Sequence, residues 1–124
     1  MALAHWSAVS GRTGGATRHW RNQRMTSIAL LPLGLWFVIA LLRQPDLDYA
    51  TVTAWLAKPM QALLALLFGI AMLWHSLQGI QVVLDDYVGG RLRRFSIRLS
   101  QLVHIAAAVA LVWAIVRLVA GGGT

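Results

Sequence analysis

The sequence predicts an all-α integral membrane protein with three transmembrane helices. Of its 124 residues, 58% are hydrophobic and only 12% are charged, whereas a soluble domain carries about 25% charged residues. The apolar residues are gathered into three long blocks instead of recurring at helical or strand periods. Such blocks are typical of helices that are surrounded by lipid.

The first uncharged block runs from Met25 to Leu42, the second from Pro59 to Leu84 and the third from Leu99 to Val116. At about 1.5 Å per residue the first block reaches roughly 27 Å, enough to cross a hydrocarbon core. The second is longer and should tilt or extend past the core. Pro59 suits a first helical turn, and Arg117 after the third block can extend its side chain to the interface.

These blocks divide the chain into seven segments. The segment before the first block has no short apolar region followed by a small-residue cleavage site, so it is not a signal peptide. The predicted order is an N-terminal tail (1–24), transmembrane helix 1 (25–43), a loop (44–58), transmembrane helix 2 (59–84), a second loop (85–98), transmembrane helix 3 (99–120) and a C-terminal tail (121–124).

The positive charges predict the orientation. The first loop and the C-terminal end hold three basic residues, whereas the N-terminal tail and the second loop hold eight arginines. These eight are Arg12, Arg18, Arg21, Arg24, Arg91, Arg93, Arg94 and Arg98. The positive-inside rule therefore predicts a cytoplasmic N-terminus and second loop, with the first loop and the C-terminus in the periplasm. Because the arginines flank the apolar blocks, the net charge of +7 reflects topology and anionic headgroups, and we expect no nucleic-acid partner.

His75 is the most informative polar residue in the apolar blocks. It lies ten residues before Asp85, roughly 15 Å along a helix axis and therefore near the bilayer midplane. An ionisable group at that depth is costly and suggests a functional site. It is either a neutral imidazole hydrogen-bonded to a neighbouring helix or an axial haem ligand. Gly79, one turn on, would let a flat porphyrin approach, although glycine is also frequent at helix–helix contacts.

Asp86 and Tyr87 follow the second block. Asp86 is eleven residues after His75, about three turns and 16 Å, so both lie on nearly the same face if the helix continues that far. A tyrosine hydroxyl at the interface can donate a hydrogen bond to a quinone, and a nearby carboxylate can relay protons. The alternative is an ordinary interfacial aromatic residue beside an ordinary loop start.

Two further histidines carry weaker signals. His104 lies about 9 Å from the same interface and is either a second ligand or a polar contact to another helix. His19, in the sequence Arg18-His19-Trp20-Arg21, is most simply an interfacial anchor, though cations there can pair with haem propionates or an acidic partner. With no cysteine, the chain holds neither an iron–sulfur cluster nor a disulfide. Redox chemistry would need a cofactor held between helices and electrons from another subunit.

Two stretches resemble the hydrophobic membrane anchor subunit of succinate dehydrogenase, the D-type subunit of respiratory complex II. The first is HWRNQRMTSIALLPL, residues 19–33, and the second is His75-Ser76-Leu77-Gln78-Gly79 followed by Asp86-Tyr87. The similarity covers nearly the whole chain from Gly11 onward.

The resemblance implies that the three helices pack with a partner, the C-type cytochrome b anchor subunit, into a haem-binding bundle. His75 matches an axial ligand of haem b iron, with the second axial histidine on that partner. Tyr87 matches the tyrosine that hydrogen-bonds ubiquinone, Asp86 the carboxylate beside it, and Arg24 an arginine near the haem propionates or quinone pocket. The doubled Asp85-Asp86 leaves open which carboxylate faces the quinone.

The resemblance also implies a role and a location. The chain is expected to be the membrane anchor of succinate:ubiquinone oxidoreductase in the bacterial inner membrane, serving the tricarboxylic acid cycle and aerobic electron transport without being catalytic alone. FAD and iron–sulfur clusters would belong to the flavoprotein and iron–sulfur subunits. The alternatives are a fumarate reductase-type anchor, or a small non-redox membrane protein such as a transporter or assembly factor, although we see no internal repeat or broken-helix pair.

Overall fold

The computed structural model describes the backbone of residues 3–121 and the side chains of residues 20–121. The described residues form four helices: α1 (Leu3–Leu42), α2 (Tyr49–Leu56), α3 (Pro59–Tyr87) and α4 (Gly90–Ala120). Three segments are long and apolar enough to cross a membrane, Trp20–Leu42, Pro59–Tyr87 and Gly90–Ala120. The predicted all-α class with three candidate spans is confirmed.

Helix α1 is much longer than the first apolar block. It starts at Leu3, so the residues that we expected to form a tail, 3–24, are helical. Extending a helix that already exists costs far less than starting one, which is why a polar segment can continue a membrane helix. The helix also runs through Pro32, as membrane helices tolerate. The side chains before Trp20, including His19, lie outside the described residues.

The connection between α3 and α4 is far shorter than the loop predicted over residues 85–98. Only Val88 and Gly89 separate the two helices, and Gly90 has a φ of +60°. Glycine adopts this left-handed conformation without a steric penalty, so it allows the chain to reverse within a few residues. Helices of 29 and 31 residues exceed a hydrocarbon core of about 30 Å, so their ends extend past it or the helices tilt.

The first loop contains the short helix α2. Its N-cap is Asp48, whose side chain accepts a hydrogen bond from the backbone N–H of Thr51 at 2.7 Å. This bond satisfies one of the free N–H groups at the start of the helix. The same contact holds the pKa of the exposed Asp48 carboxyl below its ordinary value of 3.8. Helix α3 then begins at Pro59, the position expected from its fixed φ.

Helix α3 is the centre of the fold. It packs against α1 on one side and α4 on the other, while α2 contacts both α3 and α4. The buried core consists of Ala62 and Ala65 of α3 with Ile115 of α4, covered by three partly buried side chains, Trp36, Leu56 and Leu111. Since α2 contributes to this cluster, the core lies at the α2 end of the bundle.

An aromatic cluster joins α1, α2 and α3 next to this core. Trp55 of α2 is only 5% exposed; its ring stacks on Trp36 at 5.9 Å between centroids and lies 6.0 Å from Phe37, which in turn stacks on Phe68 at 5.1 Å. Aromatic pairs at these distances add stability beyond the area they bury. Trp55 therefore packs within the protein, whereas Tyr49 is exposed.

The rest of the bundle surface is apolar and exposed. Large hydrophobic side chains are exposed along all three candidate spans, and very little of each span is buried inside the chain. In water this would be an aggregation-prone surface. In a membrane the same surface contacts lipid or neighbouring helices, which agrees with the composition.

The cap of α2 predicts a pH dependence. Because folding lowers the pKa of Asp48, its cap stabilises α2 above the ordinary carboxyl pKa and is lost as pH falls through the folded-state pKa. Protection factors of α2 amides in hydrogen exchange should therefore decrease below about pH 4. Asp48→Asn, which keeps a cap without a charge, should remove this pH dependence, and Asp48→Ala should lower protection at pH values above this transition. A pH-independent wild type would contradict this role.

Candidate functional site

His75 is partly buried on the side of α3 that faces α1. Its Nδ1 lies 3.1 Å from Oγ1 of Thr26 on α1. The residues whose side chains are described provide no hydrogen bond to its Nε2. A histidine deep in an apolar helix therefore has one ring nitrogen held by a neighbouring helix and the other available to a ligand.

Thr26 is the centre of a small polar cluster around His75. Its Oγ1 lies 2.9 Å from the carbonyl oxygen of Gln23 and 3.4 Å from Oε1 of Gln78. Gln78 lies one turn after His75 and is only 7% exposed, the one buried polar side chain among the described residues. Buried polar groups require partners, and here Thr26 is the partner for both His75 and Gln78.

Gly79 lies beside this cluster on an open part of α3. A Cβ atom built at Gly79 meets no atom within 4 Å, so nothing in the described chain fills the space next to it. By contrast, a Cβ at Gly69 would collide with the side chain of Leu111, because α3 and α4 approach closely there. Gly79 is thus not a helix-contact glycine within this chain. The surface beside it is open.

Arg24 lies on α1 close in sequence to Thr26, the partner of His75. It precedes Thr26 by two residues, about 3 Å of helical rise, and its guanidinium lies 4.8 Å above the Trp20 ring. The α1 backbone therefore places Arg24 within one turn of Thr26, the partner of His75, while its guanidinium contacts Trp20.

Asp85, Asp86 and Tyr87 form the end of α3. The helix continues through Tyr87, so the condition for placing Asp86 and His75 on nearly the same face is met. Tyr87 is 85% exposed. Asp85 lies 3.5 Å from Arg93 of α4, both about half exposed. With Asp85 paired across the turn, Asp86 is the neighbouring carboxylate available to other partners.

His104 of α4 makes a different set of contacts. Its Nδ1 lies 2.8 Å from the carbonyl oxygen of Ser100, one turn earlier, and its Nε2 lies 3.3 Å from Oγ of Ser76 on α3. Both ring nitrogens are engaged, and the contact joins α4 to α3. This geometry matches the polar contact to another helix, one of the two interpretations of His104 from the sequence.

Sequence reasoning missed the partners of the two histidines. Thr26, Gln78 and Ser76 are polar residues in or next to the apolar blocks, and that alone was a usable signal, because polar side chains in lipid form interhelical hydrogen bonds. Their pairing was not readable, because Thr26 and His75 are 49 residues apart. Only the packing of α1 on α3 brings them together.

The chain is similar in sequence to proteins of a known family. Residues 5–115 match the model of the succinate dehydrogenase/fumarate reductase transmembrane subunit family. The chain is 32% identical to the succinate dehydrogenase hydrophobic membrane anchor subunit of Rickettsia conorii and 30% identical to that of Rickettsia bellii, with 86% of each chain covered in both cases. It is 30% identical to the subunit of the same name from Paracoccus denitrificans, over 84% of this chain and 80% of that one.

The contacts of His104 predict a structural role. His104→Leu should destabilise the packing of α3 on α4 by about 0.6 kcal/mol, the average for an interhelical hydrogen bond in a membrane protein, while any haem absorption of the assembled complex stays unchanged. Thermal unfolding of the detergent-solubilised complex and its absorption spectrum measure the two effects. Loss of a haem band at normal yield of the complex would instead make His104 a ligand.

Proposed function

This chain belongs to the succinate dehydrogenase/fumarate reductase transmembrane subunit family, and on that premise we propose that it binds haem b and ubiquinone within the membrane domain of succinate:ubiquinone oxidoreductase. Its coarser role as a membrane anchor subunit of succinate dehydrogenase follows from relatives of that name, which align over most of both chains. That role implies the membrane, a flavoprotein subunit and an iron–sulfur subunit as partners.

The observation that carries the haem assignment is the environment of His75. Its Nδ1 is held by Thr26, and this arrangement leaves Nε2 as the nitrogen for iron. Ligating histidines in proteins have the same arrangement, one nitrogen on the metal and the other in a hydrogen bond. A second histidine on the C-type cytochrome b anchor subunit would complete the ligand set, and the exposed apolar surface leaves room for further helices.

The surroundings of His75 fit a porphyrin. Gly79 leaves open space one turn away, and Arg24 provides a cation that can pair with a propionate by charge-assisted hydrogen bonds. Haem, when bound, supplies one-electron storage between the soluble redox subunits and the quinone. The residues of this chain orient the imidazole, leave the space beside Gly79 open for the porphyrin and balance the negative charge of a propionate.

Tyr87 and Asp86 supply the quinone-binding groups at the end of α3. The exposed Tyr87 hydroxyl donates a hydrogen bond to a quinone carbonyl oxygen, and the Asp86 carboxylate relays protons as the quinone is reduced. The ion pair between Asp85 and Arg93 supports Asp86 as the carboxylate of the pocket. FAD and the iron–sulfur clusters reside on the partner subunits, so succinate oxidation takes place there.

We also propose where the chain lies in the cell and in which direction the reaction runs. The arginine distribution supports insertion in the bacterial inner membrane with a cytoplasmic N-terminus and a periplasmic C-terminus, which puts Tyr87 on the side of the soluble subunits. The matching family includes fumarate reductases, which run the reaction in reverse. The named relatives favour the succinate-oxidising direction.

Substitution of His75 tests the haem role. His75→Ala should remove or alter the low-spin b-type haem spectrum of the complex purified with its partner subunits, because one axial ligand is lost. His104→Leu is the matched histidine control and should keep the spectrum. An unchanged haem spectrum in the His75 variant would remove this residue from the ligand role.

Substitution of Tyr87 tests the quinone role. Tyr87→Phe should lower ubiquinone reduction by about tenfold, the effect of losing a hydrogen bond of roughly 1.4 kcal/mol, while succinate oxidation with an artificial soluble acceptor stays unchanged. Tyr49→Phe is the control, since Tyr49 is equally exposed, at 84%, but lies in the opposite loop. Equal losses in both assays for the Tyr87 variant would indicate a structural role.

A further inference from the structure

We infer that Thr26 is a positioning residue: its hydroxyl fixes which nitrogen of His75 carries the proton, so that Nε2 is presented unprotonated to iron. This inference rests on the proposed role of His75 as a haem ligand. It adds a residue of α1 to a site whose ligand is on α3.

The argument starts from the single hydrogen of the Thr26 hydroxyl. A threonine hydroxyl donates one hydrogen bond and accepts two. Its Oγ1 is within hydrogen-bonding distance of three groups, of which the Gln23 carbonyl oxygen is the nearest at 2.9 Å. That oxygen accepts only, and it lies three residues earlier in the same helix, the usual acceptor for a helical threonine. The proton of Thr26 is therefore directed to Gln23.

The proton on the His75 ring follows from this assignment. With its proton directed to Gln23, Thr26 faces Nδ1 of His75, 3.1 Å away, with a lone pair. Nδ1 must then carry the hydrogen and donate it. A neutral imidazole has one protonated nitrogen, so Nε2 is left with a free lone pair, the form that coordinates a metal.

Gln78 fits the same assignment. Its amide lies 3.4 Å from Oγ1 of Thr26, and the oxygen and nitrogen of an amide are assigned from the surrounding network. With the NH₂ group turned toward Thr26, it donates to the second lone pair. Thr26 then donates once and accepts twice, so the hydroxyl uses its full capacity and the buried Gln78 has a partner.

The hydrogen bond between Thr26 and His75 affects how strongly the imidazole binds iron as well as how the ring is oriented. A hydrogen bond from Nδ1–H to an oxygen acceptor restrains the ring and raises the electron donation of the other nitrogen, and removing such a partner typically costs about 10- to 100-fold in metal affinity. Stronger donation favours the oxidised iron. Loss of the Thr26 hydroxyl should therefore weaken haem binding and shift the haem potential in the positive direction.

The test uses Thr26→Val, which keeps the shape of the side chain and removes the hydroxyl. In the complex purified with its partner subunits, this variant should lose haem about tenfold faster to an excess of apomyoglobin and show a more positive midpoint potential. Thr26→Ser, which keeps the hydroxyl, should restore both properties. Ser27→Ala is the matched control, because Ser27 donates to the same Gln23 carbonyl at 2.9 Å but makes no hydrogen bond to His75.

The outcomes of these experiments distinguish the positioning role of Thr26 from the ligand role of His75. If Thr26→Val fails to assemble, Thr26→Ala against Thr26→Ser gives the same comparison, since these differ by one oxygen atom. A hydroxyl-free variant with wild-type haem retention and potential, in a protein where His75→Ala loses the haem, overturns the positioning role and leaves the ligand role intact. Equal changes in the Thr26 and Ser27 variants also overturn it. A His75→Ala complex with an unchanged haem spectrum overturns the proposed ligand role of His75, on which this inference rests.

Discussion

Hydrocarbon forms no hydrogen bonds, so a polar side chain within the spans is stabilised by a partner in protein or in a bound group. This constraint explains the polar contacts of the bundle. Thr26 on α1 engages His75 and Gln78 on α3, and His104 on α4 engages Ser76 on α3. Because α3 contributes to both contacts, the two outer helices are held against it by polar groups as well as by packing. Such contacts define which helix faces meet, because apolar packing between helices surrounded by lipid allows several arrangements.

The two ends of the bundle have different roles. At the α2 end, Ala62 and Ala65 let helices approach, and the aromatic rings around Trp55 close the space between α1, α2 and α3. At the opposite end, the described residues do not fill the space beside Gly79, and polar groups lie next to it. One end of the bundle is therefore packed and the other is open among the described residues. This division agrees with the proposed cofactor and quinone sites, which neighbouring subunits would complete.

Much of the fold was predictable because lipid imposes a simple length rule. The three apolar blocks predicted the three spans, and Pro59 marked the start of α3. The connecting segments were less predictable, because polar residues outside the membrane have no length rule of this kind: α2, the helical residues before Met25 and the two-residue connection before Gly90 all lie there. His75, Gly79 and the Asp86-Tyr87 pair were identified as candidates from depth and spacing, and their roles stay proposals.

The sequence by itself determined the membrane class, the number of spans and the family, because hydrophobic length and residue motifs are local along the chain. Only the tertiary structure decided that Thr26 meets His75, that His104 has both ring nitrogens engaged and that Trp55 is buried in an aromatic cluster. Those pairings depend on which helix faces meet. Uniformly apolar helices carry no amphipathic pattern that reports their facing sides, so the partners became visible only once α1 and α4 were packed on α3.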